Sequence, residues 1–202
     1  YPDTSYRYES GGDPEVIPQL SYRDFLDFHS RYYHPSNSYI YLYGDMDMEE
    51  KLNWIDETYL KNYEYLAIDS RIRRQEPFTK PVEVKRTYSI ASTDPMEDNT
   101  YLSCNFSVDT VLDERLNIAF DILSYVLLGA PGAPVKKALL DAGIGKDVMG
   151  SYETDFYQPV FSIIAKNTNP DKKEEFLAVV EKALKEQVKS GLNKKSLRAA
   201  LN

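Results

Sequence analysis

His29 and His34, the only histidines in the chain, and Cys104, its only cysteine, are the side chains best suited to metal or nucleophilic chemistry. At 3.6 residues per turn, helix positions five apart point about 140° away from each other, so the two imidazoles cannot form the i, i+4 clamp of an H-E-x-x-H zinc site. Two histidines also leave a catalytic zinc site without its third ligand. Both read as structural, His29 on a helix flank and His34 at a helix C-terminus, where a cation suits the dipole. Cys104 alternates with Leu102 and Phe106 on one face of a strand pattern, which reads as a small core residue rather than a nucleophile. A single cysteine also rules out an intrachain disulfide and a multi-thiolate metal site. No G-x-S-x-G elbow occurs to support serine catalysis.

Three further motifs suggest ligand loops. Asp45-Met-Asp-Met-Glu-Glu50 opens like a calcium loop, but Glu50 stands where the turn needs Gly and Asp56 where the last ligand should be Glu, so helix capping by Asp47 explains it better. Gly143-Ile-Gly145-Lys146 resembles a phosphate loop, yet it follows a helix and precedes a strand, the reverse of the context that aims amides at phosphate. It reads as a helix C-cap. Ser10-Gly11-Gly12-Asp13 is the candidate site loop, because paired glycines allow close approach of the backbone to another group; a plain tight turn is the simpler reading.

The elements that would position these residues follow from periodicity and punctuation. Ser21 and Asp24 form a capping pattern, with Leu20 and Phe25 as a staple, before a helix whose face carries Phe25, Leu26, Phe28, Tyr32 and Tyr33 and which Pro35 stops. Tyr39–Tyr43 reads as a short strand, and Asp47 caps a second helix through Leu60. Residues 67–80 lose periodicity and form a linker. Beyond it, 82–91 and 100–110 read as strands joined by a turn, and Leu112–Leu128 as an apolar helix broken by Gly129-Ala-Pro-Gly-Ala-Pro134. A short helix through Leu140 comes next, then strands 148–154 and 160–167. An amphipathic helix from Asn169-Pro170 to Gly191 and a last helix capped by Asn193 complete the order. The fold class is therefore α+β, in two partial domains of mostly antiparallel sheet packed with helices.

Composition bounds the function. With 42% hydrophobic and 28% charged residues the chain is globular, and its net charge of −8 disfavours nucleic acid and anionic membrane surfaces as partners. The most apolar run, Ile118–Leu128, is shorter than a membrane span, so no membrane partner is expected. The acidic balance, the single cysteine and the lack of a targeting segment point to the cytoplasm. The chain opens at Tyr1-Pro-Asp without Met, which reads as an internal piece of a longer protein.

The linear order of several short motifs carries a resemblance. Tyr8-Glu-Ser-Gly-Gly-Asp-Pro14, Ile17-Pro-Gln-Leu20, Phe25-Leu-Asp-Phe-His29, Tyr33-His-Pro-Ser-Asn37, Tyr43-Gly-Asp45 and Tyr59-Leu60 resemble the pitrilysin/insulinase family of zinc metallopeptidases in its presequence-protease-like branch. They match the closing part of its first, catalytic-type domain. Leu127 to Pro134, Lys137-Ala-Leu-Leu140, Gly143-Ile-Gly145, Phe161-Ser-Ile163 and Gly191-Leu-Asn193 resemble the opening part of its second, noncatalytic domain. The resemblance implies a first-domain portion at 1–66, a linker at 67–80 and a second-domain portion at 81–202. It also implies a clamshell of homologous α+β domains that closes around unstructured oligopeptides. Zinc would be held by an H-x-x-E-H helix and a downstream Glu, none of which lies in these residues.

The resulting expectation is a scaffold and chamber-wall segment of a zinc metalloendopeptidase. Catalytic and metal residues are expected to be none in this segment, with zinc in the parent protein only. Its expected partners are peptide substrates, through the parent, and the remaining domains of the same polypeptide. Self-association of the isolated piece is expected where edges and apolar faces lie uncovered. The alternatives are a noncatalytic relative acting as an assembly scaffold and a free-standing binding domain unrelated to peptidases.

Overall fold

The computed structural model describes residues 1–201, which divide into two compact units, 1–75 and 76–201. The first is helical. Helix α1 (Tyr22–Tyr32) begins at the expected capping box: the Ser21 hydroxyl accepts from the Asp24 amide at 3.2 Å, and the Asp24 carboxylate accepts from the Ser21 amide at 3.1 Å. The hydrogen bonds from Ser21 hold the Asp24 carboxyl below its usual range. Asp47 caps helix α2 (Met48–Thr58) by accepting from the Glu50 amide at 3.0 Å. Short 3₁₀ turns at Ser5–Arg7, Ile17–Gln19, Pro35–Asn37 and Leu60–Asn62 make up the rest of its regular structure among the described residues.

The expected strand at Tyr39–Tyr43 is absent, and so is the one at 82–91 in the second unit. Both have the composition of strands, but strand structure also needs a neighbour to accept its hydrogen bonds, and neither segment pairs with any described strand. The tyrosines of the first remain almost wholly exposed, and Val82 and Val84 in the second are about two-thirds exposed.

In the second unit β1 (Thr100–Ser107), β2 (Asp147–Glu153) and β3 (Val160–Thr168) form an antiparallel sheet in the order β1-β3-β2. Register sets Cys104 beside Ile163 and Val148 beside Ala165, so one face carries Leu102, Cys104, Phe161, Ile163, Ala165 and Val148. Against that face pack α3 (Glu114–Ser124), α4 (Pro134–Asp141) and α5 (Lys173–Ser190), whose Val135, Leu139, Phe176 and Val180 complete the core. The opposite face is polar at its centre, where the Ser162 hydroxyl donates to Asn105 Oδ1 at 2.8 Å and Asn105 Nδ2 donates to Ser103 at 3.1 Å. A final helix, α6 (Lys194–Ala200), starts at Asn193, whose side chain accepts from the Lys195 and Ser196 amides.

The apolar helix runs to the break expected at Gly129, but its last turn changes form. After Ser124 the chain widens into a π turn at Tyr125–Gly129, then breaks at 130–133 before Pro134 restarts it as α4. Taken together, Glu114–Asp141 is long and apolar enough to cross a membrane by length and composition, contrary to the expectation that no stretch would be. The break divides it, and Val126, Leu127, Leu128, Val135 and Leu139 are buried in the protein's own core.

Candidate functional site

Ser10, Gly11, Gly12 and Asp13 form an exposed turn in the first unit, with only Gly12 half-buried. The Gly12 amide donates to the Glu9 carbonyl at 3.0 Å, and Asp13 Oδ1 accepts from the Glu15 amide at 2.8 Å. The Asp13 carbonyl accepts from both the Val16 and Ile17 amides at 2.9 Å, which launches the turn at Ile17–Gln19. Gly12 has φ +83°, and a Cβ there would stand 2.8 Å from Ile17 Cδ1, so the turn requires glycine at this position. Gly11 has open space around it. Turn formation therefore accounts for the loop, with Ser10 and Gly11 as the two central residues of the Glu9–Gly12 turn, and Gly11 is the glycine with room beside it.

The histidines lie in the same unit. His29 stacks on Tyr33, with ring centres 4.6 Å apart and nearly parallel planes. His34 Nδ1 accepts from the Ser36 amide at 3.2 Å, and its ring meets Tyr63 edge-on at 5.2 Å. His34 thus lies just past Tyr33, the C-cap of α1, as expected, and its side chain also caps the Pro35–Asn37 turn. It also lines an open cleft of about 550 Å³ with Phe28, Tyr32, Tyr33, Pro35 and Leu60. The aromatic spacing of α1 pointed to that surface as one helix face, and the structure leaves it uncovered.

Cys104 is partly buried on the core face of β1, and burial pushes its thiol pKa up, which disfavours the thiolate a nucleophile needs. Gly143 and Gly145 close α4 as a C-cap: the Gly143 amide donates to the Leu140 carbonyl at 3.0 Å and the Ile144 amide to the Leu139 carbonyl at 2.9 Å, while Ile144 is buried in the core. Among the described residues, no group of three or more His, Cys, Asp or Glu side chains is placed to hold a metal ion. The donor set in this chain does not fit a catalytic zinc.

A polar cluster that the sequence showed only as turn residues lies in the second unit. Asp98 and Asn167 both adopt φ +55°, a left-handed conformation that Asp and Asn tolerate. The Asp98 amide donates to Asn169 Oδ1 at 2.9 Å, and Asn169 Nδ2 returns a bond to Asp98 Oδ1 at 2.7 Å. Asn167 Nδ2 donates to the Asp98 carbonyl at 3.2 Å, and the Lys146 ammonium lies 3.0 Å from the other carboxylate oxygen. Lys146, followed by Asn169, holds the Asp98 carboxyl below its usual range. The cluster ties the turn before β1 to both ends of the β2–β3 hairpin and serves the fold.

The family model described as "Peptidase M16 inactive domain" matches residues 19–202, across both units. The chain belongs to this family. Its M16 relatives include presequence protease 1 of Arabidopsis thaliana, 31% identical over the whole chain, and the mitochondrial presequence protease of Xenopus tropicalis, 30% identical over the whole chain. A Clostridium perfringens protein named HypA is 46% identical, again over the whole chain. The chain spans about a fifth of each of these relatives: 21% of HypA, 19% of the Arabidopsis protease and 20% of the Xenopus protease.

Two solved structures share the M16 fold. A protein described as an M16-like peptidase from Alicyclobacillus acidocaldarius matches with a TM-score of 0.55 at 18% identity, covering 96% of this chain and 45% of its own. A Helicobacter pylori protease matches with a TM-score of 0.57 at 17% identity, covering 94% of this chain and 44% of its own. At such identities the likeness bears on the fold alone. The resemblance to the pitrilysin/insulinase family, drawn from short motifs in order, thus holds along essentially the whole chain.

Proposed function

We propose that this chain is a noncatalytic interior segment of a zinc metalloendopeptidase that hydrolyses unstructured oligopeptides. On this reading 1–66 closes a first, catalytic-type domain, 67–80 links, and 81–202 opens a second, noncatalytic domain. Its role is to hold the domains of the longer polypeptide together and to form part of the chamber wall. The observation that carries the reading is the match of residues 19–202 to an inactive peptidase domain, in a chain without an H-x-x-E-H motif. Relatives named as presequence proteases support the peptidase class. The Ser10–Asp13 loop is a wall candidate through the open position at Gly11.

No step of hydrolysis runs through these residues. Where an enzyme of this kind binds zinc, the metal lowers the pKa of its bound water toward about 7 and polarises the scissile carbonyl. The side chains that would hold it must come from other parts of the polypeptide.

The test is to assay the longer protein for cleavage of an unstructured fluorogenic peptide, before and after chelation and after zinc is returned. Cleavage that chelation abolishes and zinc restores supports the peptidase reading. A folded, zinc-free longer protein with no cleavage turns it to the assembly scaffold.

A further inference from the structure

Arg71, Arg73 and Arg74 lie in a segment without regular structure. Residues 63–78 carry neither helix nor strand, and among the described residues no backbone–backbone hydrogen bond involves 64–73. The side chains of Arg71 and Arg73 are 87% and 82% exposed, and the two share one carboxylate, Asp69, at 3.0 and 4.0 Å. Exposure here differs in kind from that of Phe25 or Trp54. An open aromatic ring gains by being covered, whereas covering two guanidinium groups that share one carboxylate strips their water without supplying enough partners. Attached chain therefore gains nothing by packing on 71–73.

Side chains hold the segment at either end. The Leu66 amide donates to Ser36 Oγ at 3.1 Å, and the Ser70 hydroxyl to Asn37 Oδ1 at 2.5 Å. On the other side the Asp3 amide donates to Gln75 Oε1 at 2.9 Å, and Gln75 Nε2 returns a bond to the Asp3 carboxylate. Lifting 71–74 away from the surface thus unwinds no helix and unpairs no strand. A protein that binds a peptide as an added extended strand uses the peptide's backbone groups, and here those groups are not spent on the chain's own helices or strands.

We propose that Arg71-Ile-Arg-Arg74 is an endoproteolytic site, cut by trypsin-like proteases whose acidic specificity pocket takes arginine. Hydrolysis breaks the amide C–N bond after Arg71, Arg73 or Arg74; water supplies hydroxyl to the arginine carbonyl carbon and a proton to the released amine. The cut falls just before the end of the first unit at Gln75. The core of the second unit, from Val108 to Ala183, lies wholly beyond it, so a nick here removes no part of that core.

The test is limited trypsin digestion of the longer protein under native conditions, beside an incubation without trypsin that reports any self-cleavage. Mass spectrometry and N-terminal sequencing identify the products. The first new N-terminus is expected at Ile72, Arg74 or Gln75. Cutting there samples a local opening rather than global unfolding, so it should lag an unstructured 66–80 peptide by no more than on the order of 100-fold. A longer lag overturns the inference. So does a first cut anywhere else, including after Lys85 or Arg86 in the neighbouring segment. Replacing Arg71, Arg73 and Arg74 together by Gln should slow the first cut by about 10-fold or more, and an unchanged rate overturns the assignment. The peptide-cleavage assay judges the peptidase reading separately, since the nick depends on this segment whether or not the longer protein is an enzyme.

Discussion

The two units of this chain solve the burial problem to very different degrees. Residues 76–202 bury Val135, Leu139, Ile144, Val148, Ile163 and Ala165 completely, between one sheet face and three helices. Residues 1–75 leave Phe25, Phe28, Trp54 and most of their tyrosines more than half exposed, although their helices are as well capped. Capping and helical periodicity are local, so both units have them; a core requires elements to meet, and only the second unit contains enough of them. Good local signals thus say that a helix forms and nothing about whether its apolar face finds cover.

The sharpest way to break this contrast is to truncate one large apolar side chain in each unit. Ile163→Ala deletes a side chain with no solvent exposure at the centre of the sheet, and should cost about 2–5 kcal/mol in denaturant unfolding of the 202-residue chain. Phe25→Ala removes more atoms from a position 62% exposed, and should move stability by no more than about 0.5 kcal/mol. Equal losses would mean that the first unit has a core after all.

A second comparison concerns how tightly the second unit is filled. Gly150 lies on β2 facing Leu128, and a Cβ there would stand 2.1 Å from Leu128 Cδ1 and 3.0 Å from its Cβ. Gly150→Ala should therefore lower stability by about 1–3 kcal/mol, since the π turn carrying Leu128 has to shift. Gly11→Ala in the first unit, with nothing within 4 Å, is the matched control and should change little. Chemical denaturation of the two variants side by side checks the difference.

Much of this architecture was legible in the sequence. Ser21, Asp47 and Asn193 announced their helices because a cap acts within one turn, and β1, β2 and β3 alternate cleanly enough to be found. What failed was whatever depended on a distant partner. Tyr39–Tyr43 and 82–91 have strand composition, but pairing is a property of two segments and one sequence window cannot show it. The Asp98 cluster stayed hidden for the same reason: Asp98 lies about 70 residues from Asn167 and Asn169, and only the fold brings them together. Of the candidate loop, the turn was legible from its glycines, whereas the different demands on Gly11 and Gly12 were not.

The Asp98 cluster gives the smallest expected effect and the one most specific to the second unit. Its carboxyl is held below the ordinary range by Lys146 and Asn169, so the folded state binds its proton less readily than the unfolded chain does. The stabilisation is fully present above the unfolded pKa of about 3.9 and is lost as pH falls through the lower folded value. The melting temperature of the second unit should therefore drop as the pH is taken below about 4, as the carboxylate titrates. Asp98→Asn retains a side-chain oxygen for Asn169 and removes the charge that Lys146 faces, so it should lower the neutral-pH melting point slightly and flatten this part of the acid dependence. Because the carboxylate is partly exposed, high salt should shrink the difference between the two proteins. A variant that keeps the full acid slope would assign it instead to other carboxylates of the same unit with lowered pKa values, of which Asp147 beside Lys136 is the first to test.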